Sequence, residues 1–187
     1  MNFSWIHYAL MTVFFWGVYG VLLHLGRGYM PGVTPPGPEG ANAGLKAFLL
    51  VCVAYMITGV IALAVLKARG SSLEFTSAGI SWSLVAGLAG ALGAFTLVMS
   101  LGAAGPIYKA AAAGAVMPIV FAGAPIVNSI VAMMKAPPAG GFKAIPIQFF
   151  LGIALAATGG FLVAKFAPSN SGGGAKHAAT APAPAAK

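Results

Sequence analysis

The sequence predicts an all-α fold, a polytopic membrane bundle of five transmembrane helices. Three observations carry that expectation. Five nearly uncharged stretches, Trp5–Leu25, Ala47–Leu66, Ile80–Ala104, Ala110–Met134 and Ile145–Ala164, make up most of the 187 residues. Each meets the about 20 apolar residues that a helix needs to cross a hydrocarbon core about 30 Å thick. Only 6% of residues are charged and the mean hydropathy is +0.93, more apolar surface than a soluble chain of this size can hide. A membrane barrel would show segments of about 10 residues alternating apolar and polar. The runs here are continuous, so helices remain as the way to satisfy every backbone hydrogen bond within lipid. Residues 1–166 are therefore expected to form the membrane domain. Residues 167–187, rich in Ala, Pro and Gly, have nothing to bury and are expected to be disordered.

Taken in order, the first stretch reads as a retained helix. Met1–Tyr8 holds no Lys or Arg, and the apolar run exceeds the about 7–15 residues of a signal-peptide core. The connection from Gly26 to Gly44 is crowded with Pro31, Pro35, Pro36 and Pro38, a density at which helix and sheet fail. The second stretch contains the lone Cys52, which builds neither an internal disulfide nor a Cys-rich zinc site. A short polar connection, Lys67–Gly79, follows.

The third stretch carries a ridge of small residues, Ala86, Gly90 and Ala94, with Ala89 and Gly93 beside it. Membrane helices associate through such ridges, because lipid tails are as apolar as leucine and give no hydrophobic gain. Gly87-x-x-Gly90-x-x-Gly93 lies mid-helix, follows no strand and has the wrong spacing for a dinucleotide fingerprint, so packing is its reading. Gly105–Lys109 is expected to be a tight turn that leaves the third and fourth helices antiparallel, with Lys109 opening the fourth. The fourth contains Pro118 and Pro125, each freeing the carbonyl four residues back. After Lys135–Ala144, the fifth carries a second small ridge, Gly152, Ala156 and Gly160.

The formal charge is +8. Arg27, Lys46, Lys67, Arg69, Lys109, Lys135, Lys143 and Lys165 stand one or two to a segment end, without interleaved aromatics. That scatter argues for interfacial anchoring and against nucleic acid. With the N-terminus in the cytoplasm, basic residues nearly balance across the two sides. Since Lys/Arg asymmetry sets orientation, the balance leaves dual insertion open.

Polar residues at membrane depth mark candidate function. Thr12, Trp16, Tyr19 and Gly20 share one face of the first helix, and His24 follows Gly20 by four. Trp16 is mid-segment, where an interfacial belt does not explain it; it reads as a cavity wall or as a packing tryptophan. His24 reads as an interfacial histidine or a proton relay. On the fourth helix Pro118 and Pro125 lie along one side with Asn128 on the flank, a broken-helix pattern tolerated where neighbours or a wet cavity satisfy the freed groups. The candidate cavity residues are thus Trp16, Tyr19, His24, Pro118, Pro125 and Asn128. Tyr55, Thr58, Thr96, Ser100 and Gln148 are weaker candidates, with hydroxyl back-bonding to the helix as the expected role where it applies.

Both acidic residues, Glu39 and Glu74, fall in connections. With no intramembrane carboxylate, proton-coupled cation export has no obvious carrier. No H-E-x-x-H or G-x-S-x-G is present, so neither catalysis nor a metal or other cofactor is expected.

Phe15-Trp16-Gly17-Val18-Tyr19-Gly20, Gly90-Ala91-Leu92-Gly93-Ala94-Phe95, Ala112 to Pro118 and Phe150-Leu151-Gly152-Ile153 with Gly159-Gly160 resemble one repeat of the EamA-type drug/metabolite transporter superfamily. The resemblance spans the membrane region. It implies an inverted-repeat transporter of the bacterial inner membrane, with Trp16 and Pro118 near the cavity. One repeat is half of such a transporter, so the chain is expected to pair, as a homodimer or with a related half-transporter, around a small solute. The alternative is a membrane scaffold or accessory subunit that transports nothing.

Overall fold

The computed structural model describes residues 4–168, and among them every regular element is helical. Five α-helices follow in order: α1 (Ser4–Gly28), α2 (Ala43–Ala68), α3 (Ser77–Tyr108), α4 (Ala112–Lys135) and α5 (Ile147–Lys165). Three short 3-10 turns, Pro38–Asn42, Lys109–Ala111 and Phe142–Ala144, sit in the connections. Each α-helix contains one of the five apolar stretches or nearly all of it, and α1 to α3 extend past theirs at both ends. The tail expected to be disordered lies, from residue 169 onward, outside the described residues.

Four to five of these stretches are long and apolar enough to cross a bilayer. The ambiguity sits between α3 and α4, where only the 3-10 turn intervenes and Ser77–Lys135 forms a single helical run. Here the structure corrects the expected tight turn: α3 continues through Gly105 and Pro106 to Tyr108. A proline near a helix end removes one amide donor, leaving the Gly102 carbonyl without its helical partner, but does not stop the last turn from forming. The break falls on Lys109, whose φ of 51° is left-handed. Lys109 therefore does not open α4, which begins at Ala112.

The helices are apolar on all sides, and most of their large side chains are exposed, including Leu10, Phe14, Ile57, Leu88 and Leu155. No polar or charged residue is buried among the described residues. A face-wide apolar surface of this extent is stable when hydrocarbon covers it. Together with the span lengths, this makes the chain an integral membrane protein.

Two compact units divide the chain, Met1–Ala103 and Ala104–Lys187. In the first, α1 packs on α2 through its Gly20 and Leu23 side. The α2 entry, Ala43, Gly44 and Ala47, is buried as well, and a β-carbon on Gly44 would lie 2.8 Å from Val98 Cγ1 of α3. One turn on, the rings of Phe48 and Phe95 meet edge to face at 5.5 Å. Val98 and Leu101 are the largest fully buried side chains. In the second unit α4 and α5 pack closely, with Gly160 against Ala122 and the Pro118 carbonyl. Of the two small-residue ridges, one end of each is packed, Ala94 on α3 and Gly160 on α5; β-carbons on Gly87, Gly90, Gly93 and Gly152 would meet nothing within 4 Å.

The proline-rich connection is shorter and more ordered than Gly26–Gly44, because α1 runs to Gly28 and Pro38–Asn42 winds into a 3-10 turn that feeds α2. Proline at the first position of a helical turn loses no bond, since that amide has no partner there anyway. Gly32 (φ 80°) and Gly40 close the loop back to back; a β-carbon on Gly32 would lie 2.5 Å from Gly40 N. Glu39 accepts a hydrogen bond from Lys46 Nζ at 2.6 Å, seven residues on in sequence. That bond, and then the lysine charge, holds the Glu39 carboxyl below the ordinary carboxylate value. A lowered folded-state pKa contributes stability above the unfolded value and loses it as pH falls through the folded one. Thermal unfolding in detergent is therefore expected to show no Glu39-dependent change between neutral and mildly acidic pH. Its small contribution disappears only below the ordinary carboxylate range, and Glu39→Gln removes that dependence.

Candidate functional site

The first helix gathers half of the candidate residues. Trp16 and Tyr19 lie three apart, which places both on one face, and their rings sit 5.7 Å apart at a tilt of 58°. Phe15, Trp16, Tyr19 and Tyr55 of α2 line a cleft of about 130 Å³. Alongside it, Tyr19, Leu22, Leu23, Gly26 and Met30 of α1 and its following turn face Ala47, Leu50, Val51 and Ala54 of α2 across a groove of about 280 Å³. Small α2 residues at Ala47 and Ala54 leave that room. Trp16 is 39% exposed, so it walls the cleft and does not fill a core.

Two polar atoms on this helix are out of reach of solvent and of any partner: the Tyr19 hydroxyl and His24 Nδ1. Leaving a buried polar group unpaired costs about 1–3 kcal/mol, which singles these two atoms out on α1. The hydroxyls nearby behave differently. Thr12 donates to the Tyr8 carbonyl at 2.9 Å, Thr58 to Tyr55 at 2.8 Å, and Thr96 to Leu92 at 2.9 Å. Those are local back-bonds, as expected for threonine in a membrane helix.

The α4 candidates share one helix and differ in exposure. Pro118 is half-buried with its carbonyl turned to α5, whereas Pro125 and Asn128 are exposed. The Asn128 side chain makes no hydrogen bond among the described residues. The second unit holds a groove of about 330 Å³ lined by Tyr108, Ala115, Val116, Ile119, Phe161, Ala164 and Lys165, which contains none of the predicted residues.

Arg27 was assigned by sequence to interfacial anchoring, and its surroundings are more specific than that. A β-carbon on Gly102 would lie 3.8 Å from Arg27 Nη2, and one on Gly44 would lie 3.9 Å from Nε. The guanidinium thus rests between two glycines of α2 and α3. Both are far from Arg27 in the chain, so no local pattern could have shown it. Tyr55 joins the cleft in the same way, through the α1–α2 packing.

No known protein family, curated protein or solved structure matches this chain.

Proposed function

We propose that the chain is a half-size transporter of EamA-type organisation. Five spans form one repeat, which pairs with a second copy or a related chain to enclose a small-solute cavity in a bacterial inner membrane. The observation that supports this reading most is the pair of unpartnered polar atoms on α1, Tyr19 Oη in the aromatic cleft and His24 Nδ1 further along the helix. Polar groups held at membrane depth without a protein partner are the kind of group that a solute satisfies. Inverted pairing of repeats places such sites between the halves, and the balanced Lys/Arg distribution is compatible with insertion in both orientations. The solute is neutral or anionic, since both glutamates lie in connections.

A second reading, a scaffold or accessory subunit, draws support from the open ridge of α3, where Gly87, Gly90 and Gly93 lack neighbours and suit close approach by another helix. Two measurements separate the readings. Compartment reporters on both termini give dual orientation for an antiparallel homodimer and a single orientation for a scaffold without a paralogue. In cells or vesicles carrying the protein, Trp16→Ala, Pro118→Ala and Asn128→Ala are expected to cut flux of the transported solute about tenfold or more, as for lost positioning contacts. If all three insert at wild-type levels and a metabolite panel shows no flux change, the transport reading fails.

A further inference from the structure

We infer that α1 and α2 form a binding site for an amphipathic anion: a carboxylate or phosphate ester seated on Arg27, with its hydrocarbon chain in the groove between the helices. Arg27 is half-buried and makes no side-chain hydrogen bond or ion pair among the described residues. Glu39, the acidic residue of the adjoining loop, is engaged by Lys46 instead. The guanidinium lies over Gly44 and Gly102, within van der Waals reach of both, and it is half-buried with its donors unengaged. Arginine is the side chain suited to two-point recognition of an oxyanion, and its charge-assisted bonds are about twice as strong as neutral ones.

The rest of the site follows the same helix. His24 is three residues before Arg27, on the adjoining turn of one face, and its Nδ1 is buried without a partner. Tyr19, whose hydroxyl is likewise orphaned, lines the groove of about 280 Å³ together with Gly26 and Met30, which flank Arg27 in the chain. On α2, Ala47 lines that groove, and Gly44 beneath the guanidinium is one turn earlier. An apolar slot therefore carries one unsatisfied polar atom, on Tyr19, and runs to Gly26 and Met30, the near chain neighbours of an unpaired cation whose other flank on α1 is His24. That combination selects a ligand with one charged end and one greasy end. The groove is at the small end of ligand cavities, which run about 300–1,000 Å³, and suits a single chain. The same chemistry occurs in an anionic phospholipid and in a free fatty acid, and the site stands whether or not the chain transports its ligand.

Binding to the purified full chain in non-ionic detergent tests it, by native mass spectrometry with two matched pairs of probes. Phosphatidylglycerol is compared with phosphatidylcholine, and decanoate with decanol. At least one anion is expected to bind about tenfold tighter than its neutral counterpart, the size of one charge-assisted recognition. Preference within the first pair identifies a lipid headgroup, and within the second a soluble acid. Arg27→Gln is expected to erase the preference, and Lys67→Gln, at the far end of α2, to leave it. Equal binding within both pairs, or a preference that survives Arg27→Gln, overturns the inference. Should Arg27→Gln not yield monodisperse protein, Tyr19→Phe and His24→Ala decide. A loss of about threefold or more in either, as for one hydrogen bond, supports the site, and no loss in both overturns it. Because flux is not measured, failure here leaves the transport reading to its own experiments.

Discussion

Gly160→Leu is expected to pry α5 from α4 and to be the most disruptive single substitution in the second unit. A β-carbon at this position would already overlap Ala122 Cβ and lie 3.0 Å from the Pro118 carbonyl oxygen. Neither neighbour can swing away, since one is a methyl fixed to the backbone and the other is backbone. Pro118 and Ala122 are one turn apart, so they form a groove into which the bare glycine fits. Overpacking a tight contact costs about 1–3 kcal/mol, occasionally more, and the rigidity of both neighbours puts this case at about 3. Denaturation in mixed micelles measures it, with Gly152→Leu on the same helix as the control. A β-carbon on Gly152 meets nothing within 4 Å, so that variant is expected to fall within about 0.5 kcal/mol of wild type. Equal effects of the two would remove the argument for close α4–α5 packing.

The second large effect is expected from Leu101→Ala in α3. Leu101 is 1% exposed, and deleting a buried leucine commonly costs about 2–5 kcal/mol, part for transfer and part for the cavity left behind. In a bilayer the transfer part shrinks, because the unfolded helix shows its leucines to hydrocarbon and not to water. What remains is lost contact, and about 2 kcal/mol is the expectation. Leu155→Ala is the informative comparison. Leu155 is 73% exposed, and its truncation exchanges lipid contact for lipid contact, with an expected change of about 0.5 kcal/mol or less. The ratio between the two variants reports whether protein packing or general hydrophobicity holds the first unit together.

Much of the architecture was readable because it depends on local composition. A run such as Ala47–Leu66 has one compact option in lipid, so α2 lies where apolar length says it should, extended by a turn into residues that tolerate either state. The breaks were harder to read. Gly105-Pro106 looks like a turn because both residues are helix breakers in water, yet a proline in the last turn costs one bond and the left-handed φ falls on Lys109. The proline-rich loop holds a 3-10 turn because Pro38 sits where no amide is needed. For the candidate site, Trp16, Tyr19 and His24 were visible from their spacing on one face. The roles of Arg27 and Tyr55 depend on which residues of other helices lie opposite. Tertiary packing decides that, through glycines at Gly44 and Gly102 that look like any others in a chain with 26 of them.

The helices differ in length: 32 residues in α3, 26 in α2 and 19 in α5. At about 1.5 Å per residue these are rods of about 48, 39 and 28 Å, set against hydrocarbon about 30 Å thick. Only the shortest can stand upright. The others must lean, project into the headgroups or thicken the surrounding lipid, at fractions of a kcal/mol per ångström of mismatch. The protein is thereby a gauge of its surroundings: bilayers of longer acyl chains should draw α3 more upright and pinch the lipid around α5, which has no length to spare.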